Sequence, residues 1–433
     1  MKKLSLLLGM VAFLATACEK EEMVTPFEQQ EDPLAEVIRI AQEGAAMLGD
    51  AETRSAVGRR IDRSRISCKI NPATRADESD DTLYYVVNYA DNAGFAIVSA
   101  NEEAPDGARL IAVTESGSYT AGEQTENEGF NMYMDMVNGT RGIIGDVEID
   151  SLPMPGLFDT IDVVEYYSPW VSQGPFLETK WGQGYKNVLL DKYVYNENFP
   201  YNKYCYNSEG ELCPAGCAAI AVAQIVAYHR YPTSFVVTFD GSNRTQVLNW
   251  NSILTHVGAP YNVCTCTSHD ALALLIREIG KRSSMDYSPD GSSTTLQQAR
   301  FAFSYLGYDQ NKGQAYSFDL VKTDIDLNRP LYMRGYDTNE QGGHAWVVDG
   351  YKQRTHYYNQ YTITNGHRVL TYSNTTTLKY IHINWGFDGR NNGYYRDNVF
   401  DLTRAFEYDV NVNNDQTYNF DYALQLMTGI SHN

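Results

Sequence analysis

Basic residues are scarce in this 433-residue chain, which has 34 lysines and arginines against 54 aspartates and glutamates. The formal net charge of -20 argues against a nucleic acid or an anionic membrane surface as a partner, because both attract positively charged proteins. No membrane-spanning helix is predicted either, since the N-terminal apolar run over residues 4–14 is too short to cross a bilayer. The length is sufficient for two or three domains with real cores.

The N-terminus is typical of an exported protein. A basic start, the apolar run and then Ala-Thr-Ala ahead of Cys18 predict a signal peptide over residues 1–17. Cys18 after small residues resembles a lipobox, in which the cysteine is acylated and becomes the mature N-terminus. Residues 18–33 are acidic and resemble the tether of some Bacteroidetes surface lipoproteins. The alternative is a plain secreted protein with a chance cysteine at this position.

Cysteines are also few, seven in all. Cys205 and Cys213 flank a short turn and form a candidate disulfide in an oxidising compartment. Cys264, Cys266 and His269 make one short cluster without a second pair of ligands, so no metal site is predicted.

After the tether, the sequence pattern predicts two α+β units. Residues 34–168 combine two helical stretches with three strand-like runs separated by turn clusters. Residues 146–173, which extend from the end of this unit into the next, carry Pro, Gly, Ser and acidic residues with weak periodicity, which is typical of a boundary. Residues 169–433 place helices early and an antiparallel sheet late. The periodic segments of the first unit are 33–48, 83–89, 94–99, 109–113 and 130–137.

The segment that begins at Cys217 is the strongest functional signal in the chain. The ten residues after it are small or apolar except Gln224, which is typical of a helix buried on nearly all sides. Pro214 and Gly216 interrupt the chain just before it, so Cys217 is expected in the first helical turn. There the unpaired N–H groups and the helix dipole favour a thiolate. We predict a nucleophile; the alternative is a buried structural cysteine.

A thiolate nucleophile needs a base that keeps it ionised and later protonates the leaving group. His229 lies twelve residues further along the same predicted helix, about 18 Å away at 1.5 Å per residue, too far to pair with Cys217. His344 follows two glycines and leads a strand-like run, so it is expected at a strand start where substrate comes close. His344 is therefore the predicted base, and a structural histidine is the alternative.

Three further residues fit the remaining needs of acyl transfer. Asn384 and Trp385 stand at a strand end, where an amide would orient the imidazolium and an indole would shield it from water. Gln183, in a glycine-flanked loop, is a candidate side-chain donor for the oxyanion, with the backbone N–H of Cys217 as the second donor. A solvated loop glutamine is the alternative for Gln183.

Four motifs, in the chain order Gln, Cys, His, Asn, resemble those of the streptopain family of papain-like cysteine proteases. Two upstream runs resemble the inhibitory propeptide of the same family, and the resemblance covers nearly everything after the tether. The segments that carry it are Trp-Gly-Gln-Gly at 181–184, Gly-Cys-Ala-Ala and the helix after it at 216–232, Gly-His-Ala-Trp at 343–346, His-Ile-Asn-Trp-Gly at 382–386, and the propeptide-like runs at 84–88 and 94–100.

The resemblance implies a papain-like α+β protease domain behind a small inhibitory α+β prodomain, and hydrolysis of peptide bonds without a metal or an organic cofactor. In those terms Cys217 attacks the carbonyl and His344 is the acid/base, oriented by Asn384. Gln183 stabilises the oxyanion, and Trp385 screens the pair from water. Implied partners are protein and peptide substrates and the chain's own prodomain, with a lipid anchor as the sole membrane contact.

The expected protein is a monomeric zymogen outside the cytoplasm, an outer-membrane or cell-surface lipoprotein whose catalytic domain is released after maturation. Two features depart from the family pattern. Asp388 changes the rim loop after Trp385, and residues 352–377 form an insertion predicted to be an extra hairpin. Rival functions are another Cys-His acyl transferase, such as a cell-wall amidase, and a catalytically inert surface binding protein.

Overall fold

The structure is a computed structural model, and it describes residues 32, 34–49, 59–70, 82–102, 104, 106–139, 160–239, 241–256, 267–337, 343–400 and 422–432. Cys18, Cys264 and Cys266 fall outside these residues, so the lipidation and metal-cluster predictions are untested there. None of the helices in the described part has the length and apolar composition needed to cross a bilayer.

Eight α-helices lie in the described part of the chain. They are α1 (Ala35–Met47), α2 (Asp106–Arg109), α3 (Glu128–Gly139), α4 (Cys217–His229), α5 (Trp250–His256), α6 (Thr267–Arg282), α7 (Leu296–Tyr305) and α8 (Phe318–Asp326). The first nine of its eighteen strands are β1 (Ile61–Ile70), β2 (Thr82–Tyr89), β3 (Phe95–Ser99), β4 (Leu110–Thr114), β5 (Thr160–Tyr167), β6 (Val171–Gln173), β7 (Tyr185–Asn187), β8 (Lys192–Val194) and β9 (Ser234–Phe239). The remaining nine are β10 (Ser242–Val247), β11 (Tyr308–Asp309), β12 (Gln314–Ala315), β13 (Leu331–Asp337), β14 (Gly343–Thr364), β15 (His367–Asn384), β16 (Gly393–Arg396), β17 (Tyr422–Met427) and β18 (Ser431–His432).

One antiparallel sheet joins the two predicted units. Its strand order is β1-β2-β3-β4-β16-β15-β14-β13-β17-β12, and β5 and β6 also pair with β14. The units meet where β4 pairs with β16, with Thr114 opposite Gly393. Gly393 is required there, because a Cβ would overlap the carbonyl oxygen of Val113. The α+β class predicted from the sequence is confirmed, and the sheet continues from one unit into the other.

The N-terminal part of the sheet is covered on both faces. The apolar face of α1, which includes Val37 and Ile40, packs on one face, and α3 packs on the other through Phe130 and Tyr133. This two-sided burial explains why β3 and β4 are continuous apolar runs rather than alternating ones.

The C-terminal strands β13, β14 and β15 separate two cores. One core surrounds α4 and includes Tyr332, Ala345 and Val347, together with residues of α6 and α7. The other includes Met333, Trp346 and Trp385, together with residues of α3 and α8. This division arises because successive side chains of a strand point to opposite faces, and it decides where each predicted site residue lies.

The insertion at residues 352–377 is an extra hairpin, as predicted. β14 and β15 pair over its whole length and turn at Asn365-Gly366, whose φ values of 50° and 79° are those of a tight hairpin turn. β5 pairs with the same hairpin. The sequence did not predict β5, because most of its residues are exposed and the strand lacks apolar alternation.

Candidate active site

Cys217 begins α4, where the sequence predicted it. Gly216 before it has a φ of 87°, and a Cβ there would lie 2.9 Å from the sulfur of Met285, so the position requires glycine. The N–H of Ala215 donates to the carbonyl of Gln183 at 2.8 Å, which ties the predicted oxyanion loop to the residues before Cys217. The next ten residues of α4 are buried. Cys217 is therefore held by a helix anchored in the core.

The thiol of Cys217 is neutral in this arrangement, contrary to the thiolate expected at a helix start. Burial raises its pKa to about 11, and nearby Glu128 adds to the shift. Hydrogen bonds from the backbone N–H groups of Ala345 and Ala218, and the charge of Arg334, act in the opposite direction without outweighing burial. The dipole of α4 is outweighed because the elements that cover the thiol bury it.

Sheet register separates Cys217 from its predicted base. Ala345 of β14 lies opposite Arg334 of β13, and His344 lies opposite Gly335. Side chains of consecutive strand residues point to opposite faces, so Ala345 and His344 face different sides of the sheet. Ala345 packs in the core around α4 and contacts Cys217. No hydrogen bond joins Cys217 to His344 among the described residues, although both line one cavity of about 430 Å³.

The imidazole of His344 is instead packed among aromatic rings. Its Nε2 is 2.8 Å from the carbonyl oxygen of Trp385, and its Nδ1 has no hydrogen-bond partner among the described residues. The ring stacks on Trp346, at 6.2 Å between centroids, and lies tilted against Phe387, at 5.6 Å between centroids. Burial lowers the pKa of His344, which favours the neutral ring.

The first turn of α3 rests on His344. A Cβ on Gly129 would lie 2.5 Å from Cδ2 of His344 and 2.6 Å from Cε3 of Trp385, so only a glycine allows this approach. Asn127 holds the turn in place by accepting a hydrogen bond from the N–H of Phe130 at 3.1 Å. A helix of the predicted prodomain therefore covers the predicted base directly.

Asn384 does not contact His344, which corrects its predicted role in this arrangement. It lies opposite Val347 on the α4 side of the sheet. Its Nδ2 donates to the carbonyl of Thr179 at 2.8 Å, and its amide exchanges hydrogen bonds with Gln224 at 3.1 and 3.2 Å. Sequence reasoning had not assigned Gln224 a function, although it is the one polar residue in the apolar stretch of α4.

Trp385 and Gln183 differ in their burial and in their hydrogen bonds. Trp385 is fully buried against His344, and its indole N–H donates to the hydroxyl of Tyr395 at 3.0 Å. Gln183 is partly buried, and its side-chain amide makes no hydrogen bond to the residues that the structure describes. Next to it, Gly182 packs on the carboxyl group of Asp388, whose pKa burial raises to about 6.

The proposed disulfide is absent: Cys205 and Cys213 are both free thiols. Their sulfur atoms have different partners, since Cys213 Sγ lies 3.4 Å from the carbonyl of Glu211 and Cys205 Sγ lies 4.0 Å from that of Tyr201. The two residues are instead joined by the N–H of Cys213, which donates to the carbonyl of Cys205 at 2.8 Å.

His229 ends α4, at the opposite end of the helix from Cys217.

A buried charged cluster that the sequence did not predict links the N-terminal part to the rest. His382 Nδ1 lies 2.6 Å from Asp349, and its Nε2 lies 3.4 Å from Glu115. Burial opposes the charge of His382, but both carboxylates outweigh it and raise its pKa to about 9. The interaction with His382 lowers the pKa of Glu115 to about 2, and Lys180 lies 3.5 Å from the same carboxylate. The sequence feature that points to this cluster is His382, the first residue of the His-Ile-Asn-Trp motif.

Comparison with known proteins gives two family matches. Residues 195–395 match the Peptidase C10 family, and residues 51–140 match the Spi protease inhibitor family. Streptopain of Streptococcus pyogenes is 26% identical over 376 residues, covering 77% of this chain and 78% of streptopain. The thiol protease/hemagglutinin PrtT of Porphyromonas gingivalis is 22% identical over 366 residues, covering 77% of this chain and 36% of that protein.

Two solved structures are also similar. Prointerpain A of Prevotella intermedia has 20% sequence identity and a TM-score of 0.47, covering 85% of this chain and 99% of the other. Active interpain A of the same organism has 20% identity and a TM-score of 0.36, covering 60% of this chain and 96% of the other. From the family matches and the curated relatives, the chain carries a Peptidase C10 (streptopain) domain, and it is a cysteine peptidase with an inhibitor-like region ahead of that domain.

Proposed function

We propose that this cysteine peptidase is an endopeptidase made as a zymogen, with Cys217 as its nucleophile and His344 as its acid/base. The observation that carries the proposal is the contact of Gly129 with the imidazole of His344. An α3 helix in that position covers the imidazole, which makes no hydrogen bond to Cys217 among the described residues. The thiol is then left neutral and the histidine uncharged, a state that cannot attack a peptide carbonyl.

Removal of α3 would free His344 for catalysis. The ring has a buried Nδ1 without a partner among the described residues, and a buried unsatisfied nitrogen costs about 1–3 kcal/mol. A move of His344 into the cavity that it already lines would relieve this cost and bring it toward Cys217. There an imidazolium would lower the pKa of the Cys217 thiol, since a nearby positive charge favours the thiolate.

The oxyanion would be stabilised by the side chain of Gln183 and the backbone N–H of Cys217. Gln183 supports this role because its backbone is tied to Ala215 while its amide is left without a partner among the described residues. Asn384 would position the adjacent strand end through Gln224, and Trp385 would screen the base from water.

Maturation would remove the region that includes α1 and α3. The predicted cut interval was 146–173, but β5 and β6 are paired with β14 in its second half. A protease needs an unpaired stretch of backbone, so we place the cut before Thr160. The predicted boundary at residue 168 then moves, and β5 stays with the catalytic domain.

The chain is proposed to be exported and lipidated on Cys18, outside the cytoplasm at the outer membrane or cell surface. This rests on the sequence of residues 1–33 alone. Cleavage before Thr160 would leave the lipid on the prodomain and release the peptidase. Mass spectrometry of the native protein tests both statements, because it reads the mature N-terminus and any acyl group on Cys18.

A thiol-directed peptidyl epoxide tests the catalytic assignment. The matured protein should be labelled on Cys217 and should cleave casein, and the His344→Ala variant should do neither. Labelling of another cysteine would contradict the assignment of the nucleophile. Hydrolysis of peptidoglycan without cleavage of casein would favour the amidase alternative, and a folded protein with neither activity would favour the inert binding protein.

A further inference from the structure

The cavity beside Cys217 holds one cation whose charge is not neutralised by any described side chain. Arg334 lines this cavity together with Cys217, and within the described part of the chain its guanidinium forms no ion pair or hydrogen bond. Its guanidinium lies 4.8 Å from the ring centre of Tyr336, which restrains it by a cation–π contact. In a chain with a net charge of -20, an arginine side chain that has no partner among the described residues calls for a ligand at this position.

Sheet register places Arg334 close to the reacting atom. Arg334 lies directly opposite Ala345, and the N–H of Ala345 is hydrogen-bonded to the thiol of Cys217. Opposite residues of an antiparallel pair have Cβ atoms about 5 Å apart, so Arg334 is one strand away from the residue that contacts the nucleophile. Its charge reaches the thiol, whose pKa it lowers.

The side chains that line the cavity include groups suited to binding an anion. Tyr332, Arg334 and Tyr336 alternate along β13 and all line the cavity, so the cation stands between two aromatic side chains. Ser293 lines the cavity as well and brings a hydroxyl donor, whereas the hydroxyl of Thr294 already donates to the carbonyl of Ser283. Asp286 is the acidic lining residue, but it is exposed at the rim, whereas Arg334 is partly buried.

We propose that Arg334 forms a specificity subsite that takes a carboxylate side chain of the peptide substrate, at one fixed position near the scissile bond. A guanidinium recognises a carboxylate through two parallel hydrogen bonds, which a neutral amide of the same shape cannot replace. The subsite rests on the proposed endopeptidase function and adds to it a preference for peptides with aspartate or glutamate beside the cleavage point.

Matched peptides test this subsite in the matured enzyme. Each pair has Glu or Gln at one position around the cleavage site, and all C-termini are amidated so that only side-chain carboxylates are present. At one position, wild-type enzyme should show a kcat/KM about tenfold higher for Glu than for Gln. In Arg334→Gln this ratio should fall to about one, whereas Arg334→Lys should keep part of it because the charge remains.

Two controls isolate the effect. Lys281→Gln removes an exposed charge at the end of α6, outside the cavity, and should keep the wild-type ratio. The Gln peptides report endopeptidase activity independently of Arg334, so failure of the proposed function would be visible in them. A wild-type ratio of one at every position, or an unchanged ratio in Arg334→Gln, overturns the subsite. A preference that appears only for peptides with a free C-terminus also overturns it, because the carboxylate would then be the terminal one.

Discussion

The two faces of β13–β15 hold different halves of the predicted site. On the α4 face, Cys217, Gln224 and Asn384 are placed by elements of the protease domain itself. On the other face, His344 and Trp385 are packed beneath α3 from the N-terminal part of the chain. The nucleophile half is thus built independently of the inhibitor-like region, while the histidine half depends on it.

The largest effect should come from the nucleophile itself. Cys217→Ala should abolish peptide hydrolysis and leave a folded, full-length precursor, since loss of a nucleophile costs several orders of magnitude in rate. The measurement is casein cleavage, together with the length of the protein on a gel. Activity above about 1% of wild type would contradict the assignment.

Histidine variants compare the two faces directly. His344→Ala should be nearly as damaging to kcat of the matured enzyme as Cys217→Ala. His229→Ala is the matched control: it lies at the far end of α4, where burial lowers its pKa to about 4, so its loss should reduce stability and spare catalysis. Equal loss of kcat in both folded variants would show that the base is wrongly assigned.

Gln183→Ala should lower kcat by about 10²–10³ with little change in KM, because an oxyanion donor acts mainly in the transition state. The experiment uses matured enzyme and steady-state kinetics on one peptide. An effect confined to KM would mean that Gln183 binds the substrate in its ground state and is not an oxyanion donor.

Gly129→Ala should weaken the cover over the histidine face. The new Cβ would lie 2.5 Å from His344, and overpacking of this kind costs about 1–3 kcal/mol. Full-length protein should then be labelled faster by a peptidyl epoxide. Gly49→Ala, also in the N-terminal part, is the control, since its Cβ would have ordinary contacts, the nearest at 3.7 Å. Equal labelling of the two variants would show that the contact does not restrain His344.

The smallest effect concerns the pair between Glu115 and His382. In full-length Cys217→Ala protein, Glu115→Gln should lower the free energy of unfolding by roughly 2 kcal/mol near pH 5–6, between values typical of exposed and buried pairs. The control Glu126→Gln breaks an exposed pair with Arg390, at 3.2 Å, and should cost less than about 1 kcal/mol.

The pH dependence of that pair follows from the two shifts. The pKa of His382 rises from 6.5 to about 9, so its contribution to stability is complete below pH 6.5 and is lost as the pH rises through 9. The pKa of Glu115 falls from 4.5 to about 2, so its contribution is present above pH 4.5 and is lost as the pH falls through 2. The urea midpoints of the Glu115→Gln variant and its parent should therefore differ most between pH 4.5 and pH 6.5. A difference that grows above pH 9 would exclude the ion pair.

Several elements could be predicted from local pattern alone. The apolar run after Cys217 corresponds to α4, which is buried on nearly all sides, and the periodicity of residues 33–48 corresponds to α1, which buries the face that its spacing defines. β5 and the cluster around His382 were not predicted. β5 carries no burial pattern because it lies at an exposed edge, and the cluster joins residues distant in sequence, which a local pattern cannot report.

The sequence by itself determined the order of the four motifs, the helix that carries Cys217 and the α+β class. Only the tertiary structure decided that Ala345 contacts Cys217 while His344 faces α3, because a shift of one residue along a strand exchanges the two faces. It also decided the ionisation of Cys217: the helix start favours a thiolate, but the packing around it buries the sulfur and raises its pKa to about 11. Local sequence can place a reactive group on its helix, whereas its pKa depends on every element that covers it.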